Sequence, residues 1–483
     1  MKKQLLAALA AMAVTAGAFA QDFPAYLKMK GTVITGCDKD EVPDNLVIPE
    51  GVTEIDSRAF ENCAYLESVV IPSSVTKIGM YVFKNCTSLE SVTLSDGATV
   101  VGGFADCALL ANVTLPASVK VINNDAFSGC KALANITIPE GVEKIGSKAF
   151  YESELKTVAI PASVKEIGDS AFMDCASLES ATLAEGVGKI GEYAFNKTAL
   201  KTVAIPASVR EIGNSAFSGC KSLETATLAE GVETIGDSAF SGTGLKTITI
   251  PKSVKSLGNF VFSDCESLES VTLSRGITEL KGSTFSNCKA LRSVAIPRSV
   301  TSIDDRAFED CVSLVVQFDG KIAQWEATTY KKNYFSGVNC TDGSVGIVEI
   351  PPYLYLRGTS VIGCDKDKLP SNIVIPEGVT GIGSAFRDCA DLETVVIPEG
   401  VTGIGSAFYN CKSLKSVSVP KSVTDIYSRA FTYSNDNLVV QYAGTKEQWT
   451  AIGKGGKEGG IGYFAVRCSD GDFAKQDWDW NYF

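Results

Sequence analysis

The chain has 483 residues and not one histidine. Without an imidazole there is no Ser-His-Asp or Cys-His relay, no His-Glu-x-x-His helix and no histidine-rich zinc or copper site. Positive charge is scarce too. Lys+Arg 44 stand against Asp+Glu 56, for a net charge of -12, which argues against a nucleic-acid groove or an anionic membrane surface as partner. Past the first twenty residues no stretch reaches 18 apolar residues, so no further segment is long enough to span a bilayer. At 45% hydrophobic and 9% aromatic, the chain is not intrinsically disordered. Its length suggests about three domains, unless an internal repeat makes that count meaningless.

The first twenty residues read as a secretory leader. Lys2 and Lys3 precede an apolar, Ala-rich run from Leu5 to Phe19 that closes with Ala18-Phe19-Ala20, the small-x-small pattern a signal peptidase cuts. The run is too short to be a comfortable anchor, so the remainder is expected to be exported, either soluble or held at the outer surface.

Self-similarity dominates the rest of the chain. The branched residue before the recurrent turn falls at Ile48, Ile71, Leu94, Leu115, Ile138, Ile160, Leu183, Ile205, Leu228, Ile250, Leu273 and Ile296, in steps of 21, 22 or 23 residues. Three more units come later, at Ile375, Ile397 and Val419. The unit reads L-x-x-V-x-I-P-x-x-V-x-x-I-x-x-x-A-F-x-x-C-x-x, and its Phe supplies 15 of the chain's 23 phenylalanines. Within it, Leu66 to Ile71 alternates as a short strand, with Val69 and Ile71 inward and Ser68 and Val70 outward. Pro-Glu-Gly or Pro-Ala-Ser then turns the chain. The second half spaces its apolar residues too closely for a full helix, so extended or 3₁₀ pieces are expected. One strand per coil, stacked at about 4.8 Å, predicts a parallel sheet about 55 Å long over the first array. This is a leucine-rich-repeat solenoid, in which each unit buries its apolar face only against its neighbours.

Two finer patterns support stacking. In the first array, turns alternate between Gly (Gly51, Gly97, Gly141, Gly186, Gly231, Gly276) and Ser (Ser74, Ser118, Ser163, Ser208, Ser253, Ser299), so the true period is a pair of units. The residue after the strand Leu alternates in sign through Lys156, Glu179, Lys201, Glu224, Lys246, Glu269 and Arg292, which places opposite charges side by side on stacked coils.

The unit, with Ala-Phe-x-x-Cys-x-x-Leu and Ile-Pro-x-x-Val-x-x-Ile, resembles the BspA-like leucine-rich repeats of bacterial surface antigens, over Leu46 to about Leu314 and Ile373 to about Leu438. Each array is followed by a related segment: Leu314-Val-Val-Gln-Phe-Asp-Gly with Gln324-Trp325 and Cys340-Thr-Asp-Gly, and Leu438-Val-Val-Gln-Tyr-Ala-Gly with Gln448-Trp449 and Cys468-Ser-Asp-Gly. Each is preceded by a twin, Gly36-Cys37-Asp38-Lys39-Asp40 or Gly363-Cys364-Asp365-Lys366-Asp367. The expected division is a leader at 1–20, an opening segment with the 12-unit array at 21–313, a cap at 314–346, a second opening segment with three units at 347–437, a second cap at 438–471 and a tail at 472–483. The resemblance implies adhesion to host matrix proteins or other cells. Gly or Ser stands here where the commoner leucine-rich pattern carries an Asn ladder, so that superfamily's curvature and ligand habits do not transfer.

Fifteen cysteines in an exported chain raise the question of disulfides. Eleven occupy one repeat position: Cys63, Cys86, Cys107, Cys130, Cys175, Cys220, Cys265, Cys288, Cys311, Cys389 and Cys411. Ser153, Thr198, Thr243 and Ser434 fill the same position elsewhere. A site shared with Ser and Thr calls for a small buried side chain making a weak local hydrogen bond, so these are read as free thiols. A disulfide inside a module stays open for Cys37, Cys340, Cys364 and Cys468. No Cys-x-x-Cys pair exists, so no metal site and no cofactor is expected. The acids Asp38, Asp40, Glu41, Asp44, Asp365 and Asp367 lack calcium-loop spacing and read as solvated turns. Gly453 to Gly460 lacks phosphate-loop spacing and reads as a flexible loop. Trp325 and Trp449 are expected in the cores of the two caps.

The exposed strand face remains. Its outward residues are small and polar, and the candidate binding residues are Thr93, Thr114, Thr137, Thr182, Thr202, Thr225, Thr227, Thr247, Thr249 and Thr272. Threonine also simply suits exposed strands. The face lacks the Trp, Tyr and Arg anchors of a tight interface, so weak, multivalent contact with an extracellular protein or glycan is expected. The leading expectation is an exported, non-enzymatic binding or adhesion protein. A passive envelope scaffold comes second. A carbohydrate-active enzyme on a β-solenoid comes last, since no pair of carboxylates recurs at strand positions.

Overall fold

The computed structural model describes residues 23–473, except 313, 329–336, 346–350, 352, 358, 428 and 456–463. The expected leader and the tail beyond 473 lie outside the described residues. The repeats wind into a parallel β-solenoid, as their periodicity predicts. Strands of three to five residues, such as Ser68–Ile71 and Thr202–Ile205, form one ladder, with alternate residues buried and outward. A ten-stranded sheet runs from Thr157–Ile160 to Gly343–Val345, and a four-stranded sheet precedes it, from Asn45–Val47 to Asn112–Thr114. Between them the coil at 133–139 carries no strand, so the ladder expected to be continuous is broken once.

The second half of each coil is extended, one of the two conformations its spacing allows. Two-residue strands such as Glu166–Ile167 and Lys189–Ile190 pair in parallel into an eight-stranded sheet. The Ala-Phe-x-x-Cys stretch makes a third hydrogen-bonded side, which the pattern does not announce. The amides of Arg58, Phe60 and Asn62 donate to Met80, Val82 and Lys84 of the next coil at 3.1, 2.8 and 2.8 Å, while the residues between them close tight turns. In most coils of the first array these turns use left-handed backbone twice, as at Arg58 (φ 65) and Asn62 (φ 63), whereas the coils at Asp388 and Asn410 in the second array use it once. Asn, Asp and Gly hold most of the second column (Asn85, Asp106, Gly129, Asp264, Asn287, Asp310), the residues that enter this region most readily.

Inside the coil, phenylalanines from Phe60 to Phe308 stack with centroids 5.1–5.7 Å apart and planes within 14°. Phe386, Phe408 and Phe431 repeat the column in the second array. Beside it run the thiols. Cys107 Sγ donates to Phe83 O of the preceding coil at 3.0 Å and Cys220 Sγ to Phe195 O at 3.0 Å, while Thr243 Oγ1 donates to Phe240 O at 2.9 Å. The cysteines use the phenylalanine carbonyl of the preceding coil and Thr243 that of its own, so a small donor beside a phenylalanine carbonyl is what Cys, Ser and Thr have in common here. All fifteen cysteines are free.

The Gly/Ser alternation also has a cause. Gly97, Gly186 and Gly231 sit at φ 133, 133 and 150. Each gives its N–H to the Ser hydroxyl of the following coil: Ser118 at 3.0 Å, Ser208 at 2.9 Å and Ser253 at 2.9 Å. The glutamate before the glycine joins in, Glu185 accepting from the Ala207 and Ser208 amides at 3.1 and 3.0 Å. Two coils are therefore one hydrogen-bonded unit.

The ends are built alike in both modules. Each opening segment is an antiparallel hairpin, Leu27–Lys30 with Val33–Cys37 or Leu354–Arg357 with Ser360–Cys364, whose second strand adds to the edge of the two-residue-strand ladder. In the caps, helix α1 (Ile322–Glu326) and helix α2 (Lys446–Ala451) lie between strands. Asp342 and Asp470 accept from their first amides, both at 2.8 Å, and Gln324 and Gln448 accept from the amides of Lys321 and Thr445, both at 2.9 Å. Gly343 and Gly471 make the subsequent hairpin turns at φ 145 and 132. Trp325 and Trp449 are buried against Phe318 and Tyr442, so both are cap core. Gly453–Gly455 is a strand paired with Asp425–Tyr427, where glycine content alone suggests a flexible loop; residues 456–463 lie outside the described residues. Two separate hydrophobic cores result, one from Leu27 to Val338 and one from Leu354 to Val466.

Candidate binding face

Strand alternation puts a Val, Ala or Ile inward at the middle of each strand and leaves its neighbours in solvent. All ten candidate threonines are exposed. Register decides which of them form one surface. In the ten-stranded sheet, Thr157, Ser180, Thr202, Thr225, Thr247, Ser270 and Ser293 succeed one another in a single row. In the adjacent row Thr182 opposes Ala159, Thr227 opposes Ala204, and Thr249 opposes Thr272. Thr182, Thr202, Thr225, Thr227, Thr247, Thr249 and Thr272 thus share one surface. Thr93 and Thr114 sit side by side in the four-stranded sheet. Thr137 stands alone in the coil without a strand. Among the described residues, no hydrogen bond occupies the hydroxyls of these ten side chains.

Charge borders the face along one edge. The alternating residues pair in twos, Lys201 Nζ with Glu179 Oε2 at 2.6 Å and Lys246 Nζ with Glu224 Oε2 at 2.7 Å. Hydrogen bonding from these lysines holds both glutamates below the usual carboxylate range. At the cap end a shallow cleft of about 460 Å³ opens between Lys252, Leu273, Ala295 and Gln317, closed on one side by the Arg275–Asp319 ion pair at 2.7 Å. Nothing in the repeat pattern marks that cleft, because it arises where the last coil meets the cap.

The first coils of each array carry a different surface, which the threonine pattern does not reveal. There the outward positions are valines, with Val47 61% and Val374 63% exposed, and Val396 beside Val374. The anchors missing from the strand face lie on the turn side instead. In the second array the Arg387 guanidinium sits 4.4 Å from the Tyr409 ring centroid, and Tyr409 meets Tyr433 edge-on at 5.4 Å. Their separation in sequence hides this cluster, which the coil spacing brings together.

Other polar groups are spent on the scaffold. Asp38 and Asp365 accept from the amides two residues on, at 3.4 and 3.2 Å, making simple turns of these acids. Asp169 and Asn214 accept from the amides of Glu192 and Asp237 in the next coil, both at 2.9 Å. Among the described residues no three Cys, Asp or Glu side chains gather as a metal site, and no helix is long and apolar enough to cross a membrane.

The family model for BspA type leucine rich repeat regions matches in six copies over residues 43–105, 101–224, 188–315 and 366–447. Among solved structures, a leucine-rich repeat protein from Bacteroides ovatus is 26% identical, with 88% of this chain and 100% of that one covered at a TM-score of 0.48. A leucine-rich cell surface protein from Faecalibacterium prausnitzii is also 26% identical, covering 89% and 98% at a TM-score of 0.41. No curated protein matches the chain. With the family match spanning both arrays, the chain belongs to the BspA-type leucine-rich repeat proteins.

Proposed function

We propose that this protein is exported, acts at the cell surface without catalysing a reaction, and binds an extracellular protein or glycan through the strand face of its long array. The observation that carries this reading is the row of outward, unpartnered hydroxyls running in register from Thr157 to Ser293. Threonine is stiff at its first side-chain torsion, so little freedom is lost when a partner orders it. Each hydroxyl both donates and accepts, which suits the amides of a peptide or the hydroxyls of a sugar. One row position offers little energy. Repetition at strand spacing, roughly 4.8 Å, lets a repeating ligand engage many positions together. The leader-like first twenty residues and the adhesive role implied by the family resemblance support the same reading.

The test is a binding screen of residues 21–483 against arrayed matrix proteins and glycans, with the Thr225→Glu/Thr227→Glu/Thr249→Glu variant alongside. The expected outcome is binding that the variant loses. Binding retained by the variant would move the site to the caps or the turn side, and silence across the array would favour a scaffold role.

A further inference from the structure

We propose that Cys37 with Cys63, and Cys364 with Cys389, are disulfide-forming pairs that staple each opening hairpin to the first coil behind it.

The pairs arise where the thiol column of each array ends. Inside an array a cysteine gives its S–H to the phenylalanine carbonyl of the coil before it, as Cys86 does to Phe60 O at 3.2 Å and Cys411 to Phe386 O at 3.0 Å. The first coil has no coil before it. The hairpin cysteine, at the end of Val33–Cys37 or Ser360–Cys364, stands in that place, so the first thiol of each column meets a second thiol. The Sγ–Sγ distances are 3.6 Å for Cys37–Cys63 and 3.5 Å for Cys364–Cys389. The same meeting arises twice, in modules whose arrays differ in length, from partners 26 and 25 residues apart. A disulfide bond is about 2.05 Å long, so closure needs the sulfurs to approach by about 1.5 Å.

Cys63 also neighbours Cys86, and Cys389 neighbours Cys411. Those alternatives are disfavoured because Cys86 and Cys411 lie deeper and are bonded to carbonyls. In the second module the hairpin position is the reachable one, Cys364 being partly exposed, while Cys37 in the first is buried. Lys39 and Lys366, two residues beyond the hairpin cysteines, add positive charge that favours a thiolate at each pair. The modules differ in readiness. In the second, the hydrogen bond from Cys364 holds the Cys389 thiol below its ordinary value. In the first, the Cys37 bond acts the same way on Cys63, but the bond to Cys86 and burial outweigh it and push the thiol up to about 12.

The chemistry balances with a small-molecule or protein disulfide as oxidant. Cys364, the more exposed member, passes its proton to the Cys389 thiolate and attacks one sulfur of oxidised glutathione, forming a mixed disulfide and releasing one glutathione thiolate. Cys389 then gives up its proton, attacks the Cys364 sulfur and displaces the second glutathione, so the protein loses two hydrogens and the reagent gains two electrons. This inference does not depend on the proposed binding role.

The experiment takes the full chain purified under reducing conditions, exposes it to oxidised glutathione, removes the reagent, blocks remaining thiols with N-ethylmaleimide in denaturant and maps linked peptides by mass spectrometry. The expected result is two bonds, Cys37–Cys63 and Cys364–Cys389, with Cys364–Cys389 ahead in time and the other nine repeat thiols blocked as free cysteine. Slower amide exchange in Val33–Cys37 and Ser360–Cys364 after oxidation is expected with them. Cys37→Ser and Cys364→Ser should each remove one bond and leave the other. Blockable thiols at all four of these cysteines after oxidation, or Cys63–Cys86 as the bond formed, would overturn the proposal.

Discussion

The two modules are the same device at two lengths. Each opens on a bulged hairpin, with the register shift at Lys28/Met29 in one and Tyr355/Leu356 in the other, and each closes on a capped short helix over a buried tryptophan. Between these ends stand 12 repeats in the first and three in the second. The ends seal the ladders, and the coils between them add stability one interface at a time. A coil in the short array should therefore matter far more to its module than a coil in the long one.

Phenylalanine truncation tests that directly. Phe408 stacks between Phe386 and Phe431, and Phe217 between Phe195 and Phe240, in nearly the same surroundings. Replacing either by alanine should cost about 3–5 kcal/mol. A domain holds only about 5–15 kcal/mol in total, so Phe408→Ala is expected to unfold the whole short module. Phe217→Ala should open a few coils and leave the distant ones protected. Amide exchange followed peptide by peptide distinguishes the two; equal, global loss of protection in both variants would show that the long array does not behave as a chain of neighbours.

Glycine replacement sharpens the comparison between a turn glycine of the long array and a strand glycine of the short one. A Cβ on Gly186 would lie 2.0 Å from Ala162 O, on backbone at φ 133. Gly403, in the second array, has nothing within 4 Å of that position and no left-handed backbone. Gly186→Ala should cost at least about 1–3 kcal/mol, and Gly403→Ala should stay within about 0.5 kcal/mol, both read from urea midpoints.

These two sites also mark the limit of what the sequence makes legible. The repeat, the inward and outward strand positions, the cap tryptophans and the interchange of Cys with Ser and Thr all come from identical residues recurring at one spacing. The Gly/Ser alternation is visible in the chain, but its cause is not, because the Gly186 to Ser208 bond joins different coils. The left-handed turns escape for another reason. Asn, Asp and Gly hold most of one column, yet Tyr81, Tyr193 and Phe260 adopt the same backbone in the other, and such side chains do not advertise it. The Arg387–Tyr409 contact and the thiol pairs at the opening hairpins depend on which coil lies against which, and so become readable only with the stacking in hand.

The strand faces differ as well. Exposed Val374 and Val396 occupy the short array where Thr227 and Thr249 occupy the long one. Val374→Glu/Val396→Glu should leave binding by the long array unchanged, against at least a tenfold loss, about 1.4 kcal/mol, for the threonine-to-glutamate variant. A tenfold loss from the valine variant instead would assign the ligand to the short module.

The smallest effect belongs to the charge ladder. Glu179 and Glu224 are held below the ordinary glutamate value by Lys201 and Lys246. A carboxylate depressed in the folded state contributes fully above its unfolded pKa and loses that contribution as pH falls through the folded value. The ladder's share of stability is thus whole at neutral pH and fades only in acid. Both carboxylates are solvent-exposed, so screening leaves little of the pair energy. Lys201→Ala/Lys246→Ala is expected to shift the neutral urea midpoint barely, to erase that shift below the glutamate range, and to behave at low salt as the parent does at high salt. A large, salt-independent loss would mean that the lysines matter through the packing of their aliphatic stems along the coil edge, and that charge alternation is a consequence of stacking rather than a contributor to it.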